Sequence, residues 1–176
     1  MDLNLRRRVA LARDEKIIYF AKNLVCDGTN FFDTGFAPYT AENKNKDFKI
    51  TMRLSSFDTS SPNQCVVLGC KYEGTISGQQ WPGIYFRRYI NDSNKFEIGG
   101  SSYYRLTFAQ AIGKDICIWR KNGVYKCLVE GLTEQTLSIR VAEFNQNIVI
   151  GAGVQTNGTK FRFAKCVIDY ICIEYI

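Results

Sequence analysis

The sequence predicts an all-β protein built from antiparallel sheets, a sandwich or a barrel, and three observations carry that reading. The first is residue balance: 14 Gly, 10 Tyr and 12 Phe stand against 3 Pro and 2 Met in 176 residues, which suits pleated strands joined by tight turns better than a helical bundle. The second is period-two alternation, clearest where Phe48, Ile50, Met52 and Leu54 alternate with Lys49, Thr51 and Arg53. The third is punctuation: Asn, Gly, Asp and Ser separate a series of short apolar runs. With 45% hydrophobic residues the chain has enough apolar side chains for a real core, and its length fits one domain.

Residues 1–15 are expected to be the only segment with helical character. Leu3 or Leu5, Val9 and Ala12 fall near a 3.6-residue spacing, Asp2 can cap, and no Gly or Pro interrupts. A helix this short is marginal alone, so it calls for something to dock on. From Lys16 the period changes to two. After the run at 48–54, short runs follow at about 64–70, 83–90, 95–98, 103–108, 115–121, 124–129, 147–151, 160–165 and 166–175. Lys121-Asn-Gly-Val124 is the clearest hairpin, because Asn-Gly supplies the two positive φ values of a type I′ turn. No 40–50-residue repeat marks a propeller. Phe48, Ile50, Met52, Leu54, Ile118 and Ile168 are the expected core.

The chain has no histidine, which excludes Ser-His-Asp and Cys-His catalysis and imidazole-ligated zinc. Net charge is +6, unevenly placed: residues 1–22 hold six bases and three acids, so the remaining 154 residues carry only +3. A basic arm on a nearly neutral body suits an acidic partner surface, nucleic acid or an anionic membrane, and the low charge of the body argues against nucleic acid on its aromatic and basic residues. Seven cysteines, an odd number, lie mostly inside apolar runs such as Asp115-Ile-Cys-Ile-Trp119, with no C-x-x-C pair. They read as small buried hydrophobes with free thiols, in a chain made in a reducing compartment. The opening MDLNLRRRVALARDEK shows no signal-peptide core, and no apolar run reaches membrane-spanning length.

Several segments together resemble the laminin-G-like branch of the concanavalin A-like lectin/glucanase superfamily. Asp27-Gly-Thr-Asn-Phe-Phe-Asp-Thr-Gly-Phe36 with Pro38 is similar to the family's opening, and Ile116-Cys-Ile-Trp-Arg-Lys-Asn-Gly123 to its central hairpin. Ile148-Val-Ile-Gly-Ala-Gly153, Asn157-Gly158, Phe161-Arg-Phe163 and Val167-Ile-Asp-Tyr-Ile-Cys-Ile173 follow in the order of its closing strands. The resemblance implies an antiparallel jelly-roll β-sandwich over residues 17–176, preceded by an N-terminal arm at 1–16. Arm plus domain also resembles small laminin-G-like proteins of gut-bacterial phages. That likeness implies a virion structural or appendage protein, made in the bacterial cytoplasm and anchored to a larger assembly through Leu5, Arg6, Arg7, Arg8 and Val9.

Glucanases of this superfamily use an E-x-D-x-x-E strand, with retaining carboxylates about 5 Å apart. No such triplet is present: Asp169 and Glu174 are spaced to opposite faces of a strand, and Glu97 and Glu130 stand alone on edge or loop-like ground. The chain is therefore read as a non-enzymatic binding or assembly module. For a ligand, Ile84-Tyr-Phe-Arg-Arg-Tyr-Ile90 is the segment of choice. Alternation places Tyr85, Arg87 and Tyr89 on one face, with Trp81 overhanging from a loop and Tyr103 and Arg105 extending the row. Aromatic faces beside a guanidinium stack on sugar rings and bond their hydroxyls. The same residues equally suit shielding a sheet face or packing on a second copy of the chain. Rim calcium, known in laminin-G-like domains, finds oxygens at Asp27, Asp33 and Asn91-Asp-Ser-Asn94, but no acidic cluster supports it, and no cofactor is expected.

Overall fold

The computed structural model describes residues 16–71, 74–80, 82–89, 91–92, 94–100, 103–154 and 159–176. In chain order the strands are β1 (Ile17–Asp27), β2 (Phe32–Asp33), β3 (Phe48–Phe57), β4 (Val66–Lys71), β5 (Thr75–Ile76), β6 (Gln79–Gln80), β7 (Gly83–Arg88), β8 (Lys95–Gly99) and β9 (Tyr103–Thr107). The helix α1 (Phe108–Ala111) comes next. The strands β10 (Asp115–Lys121), β11 (Val124–Val129), β12 (Gln135–Leu137), β13 (Val149–Ile150), β14 (Gly153–Val154), β15 (Lys160–Phe161) and β16 (Lys165–Tyr175) complete the chain. They form an antiparallel jelly-roll β-sandwich, as expected. One sheet runs β1-β16-β3-β10-β11-β12 and the other β2-β13-β4-β7-β8-β9, with two small hairpins, β5-β6 and β14-β15, outside them.

The core lies between the inner faces. Phe48, Ile50, Met52, Leu54, Ile118 and Ile168 are all fully buried, and Ile84, Phe86, Phe96 and Ile98 face them from the second sheet. Strand β16 keeps its apolar face inward by a bulge: the β3 register shifts on either side of Ile168, and the inward set changes from Cys166 and Ile168 to Ile171 and Ile173. Asn122 (φ 51°) and Gly123 (φ 76°) make the Asn-Gly hairpin between β10 and β11. Arg120 is buried beside the Phe48 ring and donates to the carbonyls of Asn43, Lys44 and Lys46, pinning the 40–47 turn.

Two expectations change. Helix occurs within the sandwich domain: Phe108–Ala111 is helical, and Thr107 and Gln110 form a reciprocal capping box that diverts the chain out of β9. The run at 160–165 is not one strand, because Arg162 takes a positive φ of 53° and breaks it after Phe161. The anchoring residues Leu5 to Val9 lie outside the described residues.

Candidate functional site

Strand β7 sits at the middle of the second sheet, between β4 and β8. Alternation works as expected: Ile84 and Phe86 enter the core, and Tyr85 and Arg87 take the outer face. Pairing brings two rows of outer-face residues together. In one, Gly69, Tyr85, Gly99 and Tyr103 are successive cross-strand partners. In the other, Arg87 pairs with Glu97 and Glu97 with Arg105.

The first row explains where Tyr85 goes. Its neighbours Gly69 and Gly99 carry no side chains, so the ring lies down on the sheet and meets Tyr103 across Gly99 at a centroid distance of 5.9 Å. The Arg87 guanidinium covers it at 4.3 Å from the ring centroid. Tyr85 is consequently 2% exposed. The expected solvent-facing stacking surface is corrected on this point: Tyr85 is an underlayer, and burial holds its hydroxyl well above the ordinary tyrosine range.

The second row holds the charge. Glu97 is buried on the outer face and takes Arg87 Nε and Nη2 on one oxygen, Oε1, each at 2.6 Å. Its other oxygen, Oε2, is buried without a hydrogen-bond partner among the described residues. The edge or loop-like setting expected of Glu97 is thus overturned. It is central in the sheet because β9 pairs beyond β8. Glu130 does lie in a turn, where it meets Arg53 at 3.4 Å. Arg105 lies with its guanidinium 4.4 Å from the centroid of the half-buried Tyr89 ring. Five of the six expected ligand residues, Tyr85, Arg87, Tyr89, Tyr103 and Arg105, are therefore brought together, and the sixth, Trp81, lies outside the described residues.

A wall that the sequence reading missed stands beside them. The β14-β15 hairpin folds toward β4, and Phe161, Arg162 and Gly153 join Gly69, Tyr85 and Arg87 around a notch of about 20 Å³. That volume takes a water or one projecting substituent, not a sugar ring, so a sugar would lie across the face and put a single group into the notch. The hairpin is held by the Val66 amide, which donates to the Arg162 carbonyl at 2.9 Å. A Cβ on Gly153 would meet the Phe161 ring at 3.0 Å, and one on Gly69 would meet Val66 at 3.0 Å. The signal for this wall was the Phe161-Arg-Phe163 motif of the closing strands, which carried the fold resemblance but no site.

The oxygens weighed for calcium serve turns. Asp27 Oδ1 accepts from Thr29 and Asn30, Asp33 Oδ1 from Gly35 and Asn147, and Asp92 from Asn94 while pairing with Lys95 at 2.8 Å. Among the described residues no helix is long and apolar enough to cross a membrane.

No protein-family model and no curated protein matches the chain. Solved structures do. A carbohydrate-binding module of family CBM40 from the Ruminococcus gnavus IT-sialidase, bound to α2,6-sialyllactose, aligns with a TM-score of 0.52 at 14% identity, covering 89% of this chain and 92% of that one. A mutant NanB sialidase of Streptococcus pneumoniae gives 0.55 at 12% identity, and a leech intramolecular trans-sialidase complexed with 2,7-anhydro-Neu5Ac gives 0.54 at 12%. These cover 90% and 92% of this chain, which spans only 26% of each of those two enzymes. At such identities the likeness is one of fold: the chain shares the jelly-roll sandwich of sialidase-associated carbohydrate-binding modules. The finer laminin-G-like and virion assignments draw no support from these structures.

Proposed function

We propose that the chain is a non-catalytic carbohydrate-binding module that holds an acidic glycan on the outer face of its second sheet. The observation that carries this reading is the pair of rows just described, in which Tyr103, packed on the buried Tyr85, lies in the row beside Arg87, Glu97 and Arg105, with Arg162 across the notch. Aromatic rings offer area to a sugar, and guanidiniums offer forked donors that fit a carboxylate. The fold shared with a module bound to sialyllactose makes sialylated sugar the first ligand to try. Glycosidic hydrolysis in its common form needs two cooperating carboxyl groups, whereas the one carboxylate in these two rows, Glu97, is tied to Arg87.

The test is calorimetric titration with α2,3- and α2,6-sialyllactose, with lactose as the neutral control. Sialyllactose should bind and lactose should not. Arg105→Gln, at an exposed position that leaves the buried pair intact, should weaken binding by roughly 10- to 100-fold, since a hydrogen bond to a charged group contributes about 1.5–3 kcal/mol. Tyr103→Ala should weaken it by a similar factor. Equal affinity for lactose, or indifference to both substitutions, would discard the face as a binding site for acidic sugar.

A further inference from the structure

We propose that Cys26 and Cys166 are a disulfide-forming pair, a covalent modification site that ties the edge strand β1 to β16. The two residues are register partners in adjacent antiparallel strands. Directly opposed residues in such a ladder have Cα atoms about 4.5–5.5 Å apart, inside the roughly 4.4–6.8 Å that a disulfide spans. Both side chains face the core, 2% and 4% exposed, so their sulfurs lie on the same side of the sheet. On the Cys26 side the Gly151 backbone (φ +83°) approaches so closely that an added Cβ would fall 2.5 Å from the Cys26 sulfur, which confines that sulfur. Among the described strands no other two cysteines face each other: Cys117 and Cys172 are each opposite Thr51, and Cys127 is opposite Ile118 and Gln135.

Interaction between the two neighbouring thiols holds Cys26 below the ordinary thiol range despite its burial and, with burial, raises Cys166. Either thiolate can open the exchange once exposed. With Cys26 as the attacking group, its thiolate attacks one sulfur of a small disulfide such as glutathione disulfide, the S–S bond of that oxidant breaks, and one glutathione thiolate leaves. Cys166 loses its proton to solvent and attacks the Cys26 sulfur, breaking the mixed disulfide and releasing the second glutathione. Two protein thiols are oxidised and one glutathione disulfide is reduced to two glutathione molecules. Access comes from β1, which ends the sheet order and pairs only with β16, so local opening of that strand exposes both sulfurs.

The experiment incubates the reduced full-length chain with glutathione disulfide, alkylates the remaining thiols under denaturing conditions and maps the peptides by mass. The expected result is a Cys26–Cys166 cross-link, two fewer alkylated cysteines, and an unfolding midpoint that rises and returns on reduction. Cys166→Ala should lose the cross-link and carry at most a glutathione adduct on Cys26. A cross-link between other cysteines overturns the proposal. So does a wild-type chain that stays fully reduced, or carries only glutathione adducts, even in mild denaturant that opens β1. If Cys166→Ala fails to fold, the wild-type peptide map alone decides.

Discussion

Removing Arg87 while leaving Glu97 in place is the sharpest test of how the candidate face is built. The Glu97 side chain is 1% exposed and that of Arg87 12%, so the pair is largely withdrawn from water. Taking one partner from a buried ion pair costs about 3–5 kcal/mol, because the other charge is left without compensation. The face borders solvent through the notch, and water entering beside Glu97 places Arg87→Leu near the lower end, about 3 kcal/mol. For a chain of this size about 2–4 °C of melting temperature accompanies each kcal/mol, which gives a drop of roughly 6–12 °C. Arg87→Leu combined with Glu97→Leu removes both charges from an apolar setting and should recover most of that loss. Urea and thermal unfolding of wild type, both single variants and the double variant close the cycle. If the single effects add to within about 0.5 kcal/mol, the pair behaves as an independent surface contact and the buried-carboxylate account of the face is wrong.

Three further outcomes are expected. Arg120→Lys should destabilise by about 2–3 kcal/mol, since an ammonium cannot serve the carbonyls of Asn43, Lys44 and Lys46 that the buried guanidinium joins; an urea midpoint unchanged from wild type would refute this. Hydrogen bonding from Tyr170, then from Arg53, holds the Asp115 carboxyl below its ordinary range, so its stabilisation is full above the unfolded value of about 4 and is lost as pH falls through the lower folded value. Asp115→Asn should therefore be less stable than wild type at neutral pH, with the difference closing in acid unfolding curves. In native thiol labelling, the half-buried Cys117 and Cys172 should react before Cys127, whose thiol burial pushes up to about 12, and all seven cysteines should label once the reduced chain is unfolded.

Much of the fold is legible in the sequence because its strands carry local signals. Phe48 to Leu54 alternate against a wet face, and Asn122-Gly123 encodes its own turn. The site is legible only as far as a signal stays on one strand. Alternation places Tyr85 and Arg87 on one face, but that Gly69 and Gly99 flank Tyr85 and let it lie buried depends on pairings with β4 and β8. Glu97 reads as an isolated carboxylate until the register sets it between Arg87 and Arg105. Phe161 and Arg162 are separated from β7 by more than seventy positions and reach the notch only through the β14-β15 hairpin. The Cys26 and Cys166 pairing is hidden for the same reason, since it joins the first long strand to the last.

The two outer faces of the sandwich differ in charge, and the difference indicates which one suits an acidic ligand. On the first sheet cations meet their own carboxylates: Lys49 lies 3.1 Å from Glu174, and Arg53 lies 2.7 Å from Asp115 and 3.4 Å from Glu130. Between those pairs the cross-strand row is Phe20, Cys172, Thr51, Cys117 and Leu128, which offers no charge to a ligand. On the second sheet the Arg87–Glu97–Arg105 row sets two guanidiniums beside one carboxylate, and Arg87 alone is bonded to it. Glu97 neutralises one positive charge through Arg87, and Arg105 leaves the balance of this row positive. A carboxylate on a sugar can lower the electrostatic free energy of the second face while finding no comparable excess in the paired rows of the first. Because that excess lies at a rim open to solvent, binding there should weaken as salt rises, whereas the buried Arg87–Glu97 contact beneath it should not.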